Sequence, residues 1–408
     1  MSMAVLTVVY RKEVNGMRKV VLAGACRSAI GKMGGAFSNT SAVYLGSEVL
    51  KEATRRANIS IDKVDCALIG CVLQAGLGQN IARQIAIKSG IPVDRPALTL
   101  NVVCGSGLQA VNMAAQMIAS GECEIVIAGG VENMSMAPYL LKGARFGYRL
   151  GNTNVIDSLI NDALWCAIND YHMGNTAENI CEQWDISREE MDEYSLVSQE
   201  KANAAIASGK FEEEIVPIKI PGKKGEIIVS TDESPRANIT LQDLSRLSPV
   251  FQKGGKVTAG NSSSINDGAA MVVVMSEEKA LELGCKPMAT WIDGALQGVE
   301  PRLMGIGPVA ATKKVLEKAH ISLEQIDLIE ANEAFAAQAI AVKRELGFND
   351  KKLNVNGGSI ALGHPVGASG CRILVTLLHE MQRRNLQTGL ATLCIGGGMG
   401  CAALVRRE

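Results

Sequence analysis

Aromatic side chains are scarce in this chain: Phe, Trp and Tyr make up 4% of its 408 residues. Binding of single-stranded nucleic acid relies on aromatic faces for base stacking, so no nucleic-acid platform is expected. Charge of one sign is lacking too, since 41 Lys and Arg stand against 42 Asp and Glu, a net charge of −1. That balance offers no field to draw in nucleic acid or an anionic membrane. No run of about 18 apolar residues occurs, so no membrane span is expected. There are four histidines and eleven cysteines, with no Cys-x-x-Cys pair and no zinc-ligand spacing, and no metal is expected. An odd cysteine count in a long chain argues against a secreted disulfide framework and fits a reducing cytoplasm. The closest pair, Cys66 and Cys71, falls in an apolar strand pattern and reads as buried structure. The first ten residues carry no basic side chain and Glu13 follows soon after, so neither a signal nor a transit peptide is expected. A strand pattern restarts at Met17, which leaves residues 1–16 as an appendage.

Glycine, by contrast, is plentiful at 42 residues, and with 47% hydrophobic and 20% charged residues the composition is that of an ordinary globular protein. The length predicts two or three domains. A weak internal repeat organises them. Ala57-Asn58-Ile59-Ser60-Ile61-Asp62-Lys63-Val64-Asp65 is echoed by Ala319-His320-Ile321-Ser322-Leu323-Glu324-Gln325-Ile326-Asp327, and Asn101-Val102-Val103-Cys104-Gly105-Ser106 by Asn354-Val355-Asn356-Gly357-Gly358-Ser359. Each copy follows an amphipathic helix pattern, which in the first is lined by Gly46, Val49, Leu50, Ala53 and Ala57. Strands alternating with helices predict an α/β fold with parallel sheets, in two similar halves whose motif-bearing loops meet. Residues 17–134 form the first half and 266–408 the second. Residues 135–265 have no counterpart and read as an insertion, containing a helix opened by a Ser187…Glu190 capping box and ended near Gly209.

Three glycine-rich segments carry candidate chemistry. Cys104 sits in Asn-Val-Val-Cys-Gly-Ser-Gly, after the strand pattern Leu98–Val103 and before a helix pattern running to Gly121. A sulfur near a helix N-terminus meets partial positive charge and free N–H groups, which favour the thiolate. Gly105 and Gly107 are expected to allow a tight turn and close substrate approach. Read alone, Cys104 is equally well a buried inert thiol. His364 lies in Gly-Gly-Ser-Ile-Ala-Leu-Gly-His-Pro-Val-Gly-Ala-Ser-Gly, residues 357–370, a setting that suits a base or an oxyanion donor better than a core filler. Cys394 opens Cys-Ile-Gly-Gly-Gly-Met-Gly after the apolar strand Leu390–Leu393. The glycines are expected to expose its sulfur and to present successive amides to an anion. Asn332, after the strand Ile326–Ile329, reads as a helix N-cap or as a residue orienting a water or carbonyl. Two cysteines, a histidine and anion-binding amides point to acyl transfer through a thioester.

The set Cys104-Gly-Ser-Gly, Asn332-Glu-Ala-Phe-Ala, Gly363-His-Pro and Cys394-Ile-Gly-Gly-Gly-Met-Gly resembles the thiolase family, from about Met17 to the last residue. The resemblance implies a duplicated, five-layered α/β/α/β/α fold with an inserted loop domain, and a homotetramer built as a dimer of dimers. It implies acetyl-CoA C-acetyltransferase chemistry, the reversible Claisen condensation of two acetyl-CoA to acetoacetyl-CoA, with a place in fatty-acid metabolism and no cofactor besides the substrate coenzyme A. In that family pattern Cys104 resembles the nucleophile, His364 the base and later oxyanion donor, and Cys394 the acid/base at the α-carbon. Asn332 resembles the holder of an oxyanion-hole water, and the amides of Cys104 and Gly396 a second oxyanion hole. His172-Met173-Gly174 resembles the short-chain motif in which the methionine limits acyl length. Leu164, Ala259 and Ser263 fall where the family contacts pantetheine, and Arg236 where it contacts the nucleotide phosphate; without the family Arg236 reads as a surface charge. Val102 departs from the long polar residues common two positions before the nucleophile. A decarboxylating ketoacyl synthase shares the duplicated fold and the cysteine but uses two histidines, and Cys394 stands where the second would be. A non-catalytic acyl carrier would have no need to retain Cys104, His364 and Cys394 together.

Overall fold

The computed structural model describes residues 18–222 and 225–407; the appendage expected at 1–16 lies outside the described residues. The first half runs β1 (Val20–Ser28), α1 (Ala42–Arg56), β2 (Cys66–Gly70), α2 (Ile81–Ser89), β3 (Ala97–Leu100), α3 (Ser106–Ala119) and β4 (Ile125–Asn133). After the two long helices of the central segment, α4 (Met173–Gln183) and α5 (Arg188–Ala207), the chain runs β5 (Asn266–Ser276), β6 (Ala289–Gly298), α6 (Gly307–Ala319), β7 (Leu328–Ala331), α7 (Ala336–Leu346), α8 (Val366–Arg384), β8 (Thr388–Ile395) and β9 (Met399–Arg406). Local signals set the ends. Ser41 caps α1 by accepting from Tyr44 N, and Arg55 and Arg56 face the dipole at its last turn. The Ser187…Glu190 capping box opens α5, and Ser208 closes it, as the sequence predicts.

The principal strands form one path, β7-β8-β9-β6-β1-β5-β4-β2-β3. Its two ends repeat one plan. The order β1, β5, β4, β2 in one half matches β6, β9, β8, β7 in the other, and a parallel bridge from Ile329 to Leu353 stands where β3 stands beside β2. The sheet is mixed rather than parallel, which corrects the expectation above. Among the strands of this path β2 with β3, β2 with β4, and β7 with β8 run parallel, and the other neighbours are antiparallel. The parallel reading fails because β8 and β9 form a hairpin across the glycines at 396–398, a connection too short for a crossover. Between Asn133 and Asn266 the chain leaves this sheet except at Ile215–Val216, which pairs in parallel with β1.

Alternation along the strands sorts the side chains into layers. On β1, Val21 and Ala23 pack with Leu45, Val49 and Leu50 of α1 and Ile85 of α2. Val20 and Leu22 point the other way, into a cluster holding Leu108 and Val111 of α3, Ile373 and Leu377 of α8, and Ala391 and Leu393 of β8. On the far face, Leu390, Ala402 and Leu404 pack against Val309 and Val315 of α6 and Val342 of α7. The layers are therefore α/β/α/β/α, with α3 and α8 in the middle. A helix between two sheets has no solvent face, and every α8 residue from Val366 to Met381 is buried. The two central helices touch at glycine: a Cβ on Gly107 would lie 2.9 Å from Cys371 N, and one on Gly370 2.6 Å from Leu108 N. This contact brings the N-termini of α3 and α8, and the loops before them, to one place.

Candidate active site

Cys104 lies just before α3, in a turn held by side chains. Ser106 Oγ donates to Val103 O and accepts from Val102 N, while Asn101 Oδ1 accepts from Val103 N at 3.0 Å. The left-handed residue in this turn is Val103, at φ +44°. A β-branched residue is strained there. The glycines expected to make the turn do something else. Gly105 makes room for Ile395, whose Cδ1 would sit 2.4 Å from an added Cβ, and Gly107 admits α8. The cysteine is thus pushed out by a strained valine, and the glycines let the neighbouring elements approach.

His364 arrives from the other central helix. Gly363, at φ +103°, packs onto the Asn266 carboxamide, which accepts from His364 N at 2.9 Å. His364 Nε2 stands 3.3 Å from Cys104 Sγ, and Nδ1 stands 2.6 Å from Ser369 Oγ. Ser369 Oγ donates its one hydrogen to Pro365 O, so its oxygen accepts from Nδ1–H. That leaves Nε2 as a lone pair facing the thiol. Burial, with the Arg372 charge behind it, lowers the imidazole to about 3, so it rests as a neutral base. Burial likewise raises Cys104 to about 11, although the amides of Gly396 and of Cys104 itself both point at the sulfur and oppose the shift. Helix-start position alone therefore does not produce a resting thiolate: desolvation outweighs the amides. The same two amides are placed to receive an oxyanion in the sulfur's neighbourhood.

Cys394 departs from expectation. It lies inside β8, fully buried, because the strand runs on to Ile395 and only Gly397 and Gly398 take positive φ. It packs in a cluster with Met173, Phe335 and Ile360. Burial first, and the neighbouring Cys104 second, push its thiol far above the ordinary range. Asn332 follows β7, is buried, and does not cap α7, whose N-cap is Phe335. Ser359 Oγ donates to its Oδ1, while Nδ2 has no partner among the described residues. Glu333 beside it accepts from Ser198 Oγ at 2.7 Å, Asn354 Nδ2 at 3.0 Å and Tyr194 Oη at 3.2 Å, tying the loop before α8 to α5.

A cavity of about 530 Å³ opens over these groups. Cys104, His364 and Gly396 line it together with Leu164, His172, Met173, Arg236, Ala259 and Ser263. Cys394 and Asn332 are buried and do not line it. Met173 is the first residue of α4, and its Sδ would lie 3.6 Å from a Cβ on Gly396. His172 caps the same helix, its Nδ1 accepting from Gly174 N at 3.0 Å, and its ring stacks on Phe251 at 4.6 Å. Arg236 is exposed at the mouth with no ion-pair partner among the described residues, and Lys32 lines the same cavity. Phe251, Ser369, Asn266 and Lys32 escaped the sequence reading. Only Ser369 carried a signal there, an i+5 hydroxyl after the histidine; the others lie far away in sequence. Among the described residues no cluster of three His, Cys, Asp or Glu is placed to hold a metal, and no helix is long and apolar enough to cross a membrane.

The chain resembles known proteins over nearly its whole length. An acetyl-CoA acetyltransferase of Pseudomonas aeruginosa is 54% identical over 96% of this chain and 100% of its own, and one of Syntrophomonas wolfei is 55% identical over 95% and 99%. The crystal structure of the Bacillus anthracis acetyl-CoA acetyltransferase superposes with a TM-score of 0.94 at 46% identity, covering 96% of this chain and 99% of that one. Human mitochondrial 3-ketoacyl-CoA thiolase superposes at 0.93 with 41% identity, covering 96% and 99%. The family description "Thiolase, N-terminal domain" matches residues 20–278 and "Thiolase, C-terminal domain" residues 285–407. With both halves of the fold and both halves of the family accounted for in one chain, this protein belongs to the thiolase family.

Proposed function

We propose that the chain is an acetyl-CoA C-acetyltransferase, catalysing the reversible condensation of two acetyl-CoA to acetoacetyl-CoA and free CoA. The observation that carries this reading is the His364 Nε2 lone pair 3.3 Å from Cys104 Sγ, in a cavity that Met173 also lines. Cys104 attacks the first thioester as its proton passes to His364, and the amides of Cys104 and Gly396 take the developing oxyanion. Cys394, a thiol at rest, gives its proton to the departing CoA sulfur and becomes a thiolate. That thiolate then takes a proton from the methyl group of the second acetyl-CoA. The resulting enolate oxygen is held by protonated His364 and by a water on Asn332. The enolate carbon attacks the acetyl group on Cys104, and the freed sulfur recovers its proton from His364. Each group ends as it began, so the same residues run the thiolysis direction.

In this reading residues 17–134 and 266–408 are the two catalytic halves and 135–265 the inserted CoA-binding unit, which supplies Leu164, His172, Met173, Arg236, Ala259 and Ser263. Arg236 meets the nucleotide phosphate and Met173 sets the short acyl limit. Coenzyme A is substrate and product, and no resident cofactor enters any step. The protein works in a reducing cytoplasm, supported by eleven free cysteines, and as a homotetramer, supported by an exposed apolar stretch that includes Phe146 and Leu150. The test is incubation with acetyl-CoA followed by peptide mass mapping. An acetyl group on Cys104 that is discharged to acetoacetyl-CoA is expected, with loss of both in Cys104→Ala. Turnover by that variant near the wild-type rate would end the assignment, and dependence on malonyl thioesters would favour a decarboxylating synthase.

A further inference from the structure

Asn332 is useful only if its carboxamide faces the right way. The two ends of the group are nearly equal in shape and opposite in hydrogen-bonding character, so something must hold the NH2 end toward the cavity. A chain of three buried side chains provides that constraint. Arg372 on α8 is 1% exposed, and its Nη2 donates to Ser359 Oγ at 3.0 Å. Ser359 Oγ in turn donates to Asn332 Oδ1. A guanidinium can only donate, so it turns the Ser359 hydrogen away from itself and toward the amide. Were the amide reversed, Ser359 would receive two donors and its own hydrogen would have no acceptor. As placed, oxygen is matched to hydroxyl, and Nδ2 is left as the one buried donor of Asn332 without a partner among the described residues. An unpartnered buried donor is costly and needs an acceptor such as a bound water or a substrate oxygen.

Arg372 faces a carboxyl that burial pushes up to about 8 in spite of the guanidinium beside it, and its Nε and Nη1 have no hydrogen-bond partner among the described residues. Its Nη1 lies 3.8 Å from Glu330 Oε2 on β7, two residues before Asn332, and both groups are almost wholly buried. Its field also reaches His364, where it opposes protonation. The same guanidinium therefore acts on both donors assigned above to the enolate oxygen.

We propose that Ser359 and Arg372 are a positioning pair for the carbon–carbon bond-forming step, holding the Asn332 carboxamide with its NH2 turned toward the reacting thioester. The inference rests on the function proposed above and adds residues to which the sequence motifs assign no role. Acyl transfer onto Cys104 uses the amides of Cys104 and Gly396 and does not involve Ser359 or the Asn332 carboxamide. The step that needs the enolate oxygen stabilised does.

The experiment compares two rates in one preparation: condensation of acetyl-CoA, and exchange of labelled CoA into acetyl-CoA. The wild type is expected to perform both, and a wild type that performs neither overturns the proposed function itself. In Ser359→Ala, condensation is expected to fall roughly 10–100-fold, part of the effect of losing an oxyanion donor outright, while exchange falls no more than about threefold. Ser359→Thr, which keeps the hydroxyl, is expected to recover most of the loss. Arg372→Met combined with Glu330→Gln, which removes the buried pair together, is expected to lower condensation more than exchange, exchange changing only as far as the basicity of His364 does. If that double variant does not fold, Ser359→Ala and Ser359→Thr decide. An equal fall in both rates, no fall in either, or no recovery with threonine overturns the positioning role.

Discussion

Replacing Cys394 by alanine should separate two reactions that share one cavity. Acetyl exchange between CoA thiols needs the Cys104 nucleophile, the His364 base and two amides, and uses Cys394 only to protonate the departing CoA sulfur, which water can do more slowly, so slow exchange is expected to survive. Condensation is expected to fall by about 10²–10⁴-fold, the usual contribution of a positioned general base. Equal loss of both rates would deny Cys394 a role of its own. The resting protonation of Cys104 has a consequence for pH. A thiol raised to about 11 by burial is protonated through the neutral range, and its thiolate fraction grows about tenfold per pH unit below that value. Alkylation of Cys104 by iodoacetamide in the substrate-free enzyme is therefore expected to keep rising from about pH 7 to about pH 10, past the range of a free thiol near 8.5. A plateau at or below about pH 8 would mean that Cys104 and His364 rest as an ion pair.

The head of α4 places two side chains in the cavity wall at once, with His172 as cap and Met173 as first helical residue. Met173 is expected to act as the stop at the end of the acyl pocket. Met173→Ala should raise thiolysis of six- and eight-carbon 3-ketoacyl-CoA relative to acetoacetyl-CoA, and an unchanged chain-length profile would move the limit to another residue. Elements such as α1, α5 and α3 were legible in the sequence because their signals are local: apolar spacing, a capping box, a glycine after the last turn. The placement of Cys104 before α3 and of His364 before α8 was legible for the same reason. Three features were not. The mixed sheet hid behind strands whose direction is fixed by partners far along the chain. Cys394 was expected to be exposed because glycines follow it, but β8 carries it into the core before those glycines begin to turn the chain. The left-handed residue at the nucleophile is Val103 and not a glycine, a choice that only the surrounding hydrogen bonds enforce.

At the scale of the whole molecule, the fold faces the same problem twice: the two ends of the sheet share a middle helical layer, and the loops that meet there come from both halves. The internal repeat announced the two halves, whereas Ser359, Arg372, Asn266 and Ser369 could be tied to the site only once the chain was folded, since no spacing rule links them to Asn332 or His364. The inserted segment has a second face. Phe146 is 91% exposed and Leu150 fully so, in a stretch that contributes no residue to the catalytic cavity. Single apolar side chains on a surface are ordinary, but Tyr139, Leu141, Phe146, Tyr148, Leu150 and Val155 are all exposed within this one stretch, which marks it as a contact surface. In the tetramer proposed above they belong in the contact between dimers. Phe146→Ser combined with Leu150→Ser is expected to convert tetramers to dimers in light scattering at equal protein concentration. Acetylation of Cys104 should persist in the variant, because neither residue lines the cavity. Tetramers that withstand both substitutions would assign the contact to another surface of the molecule.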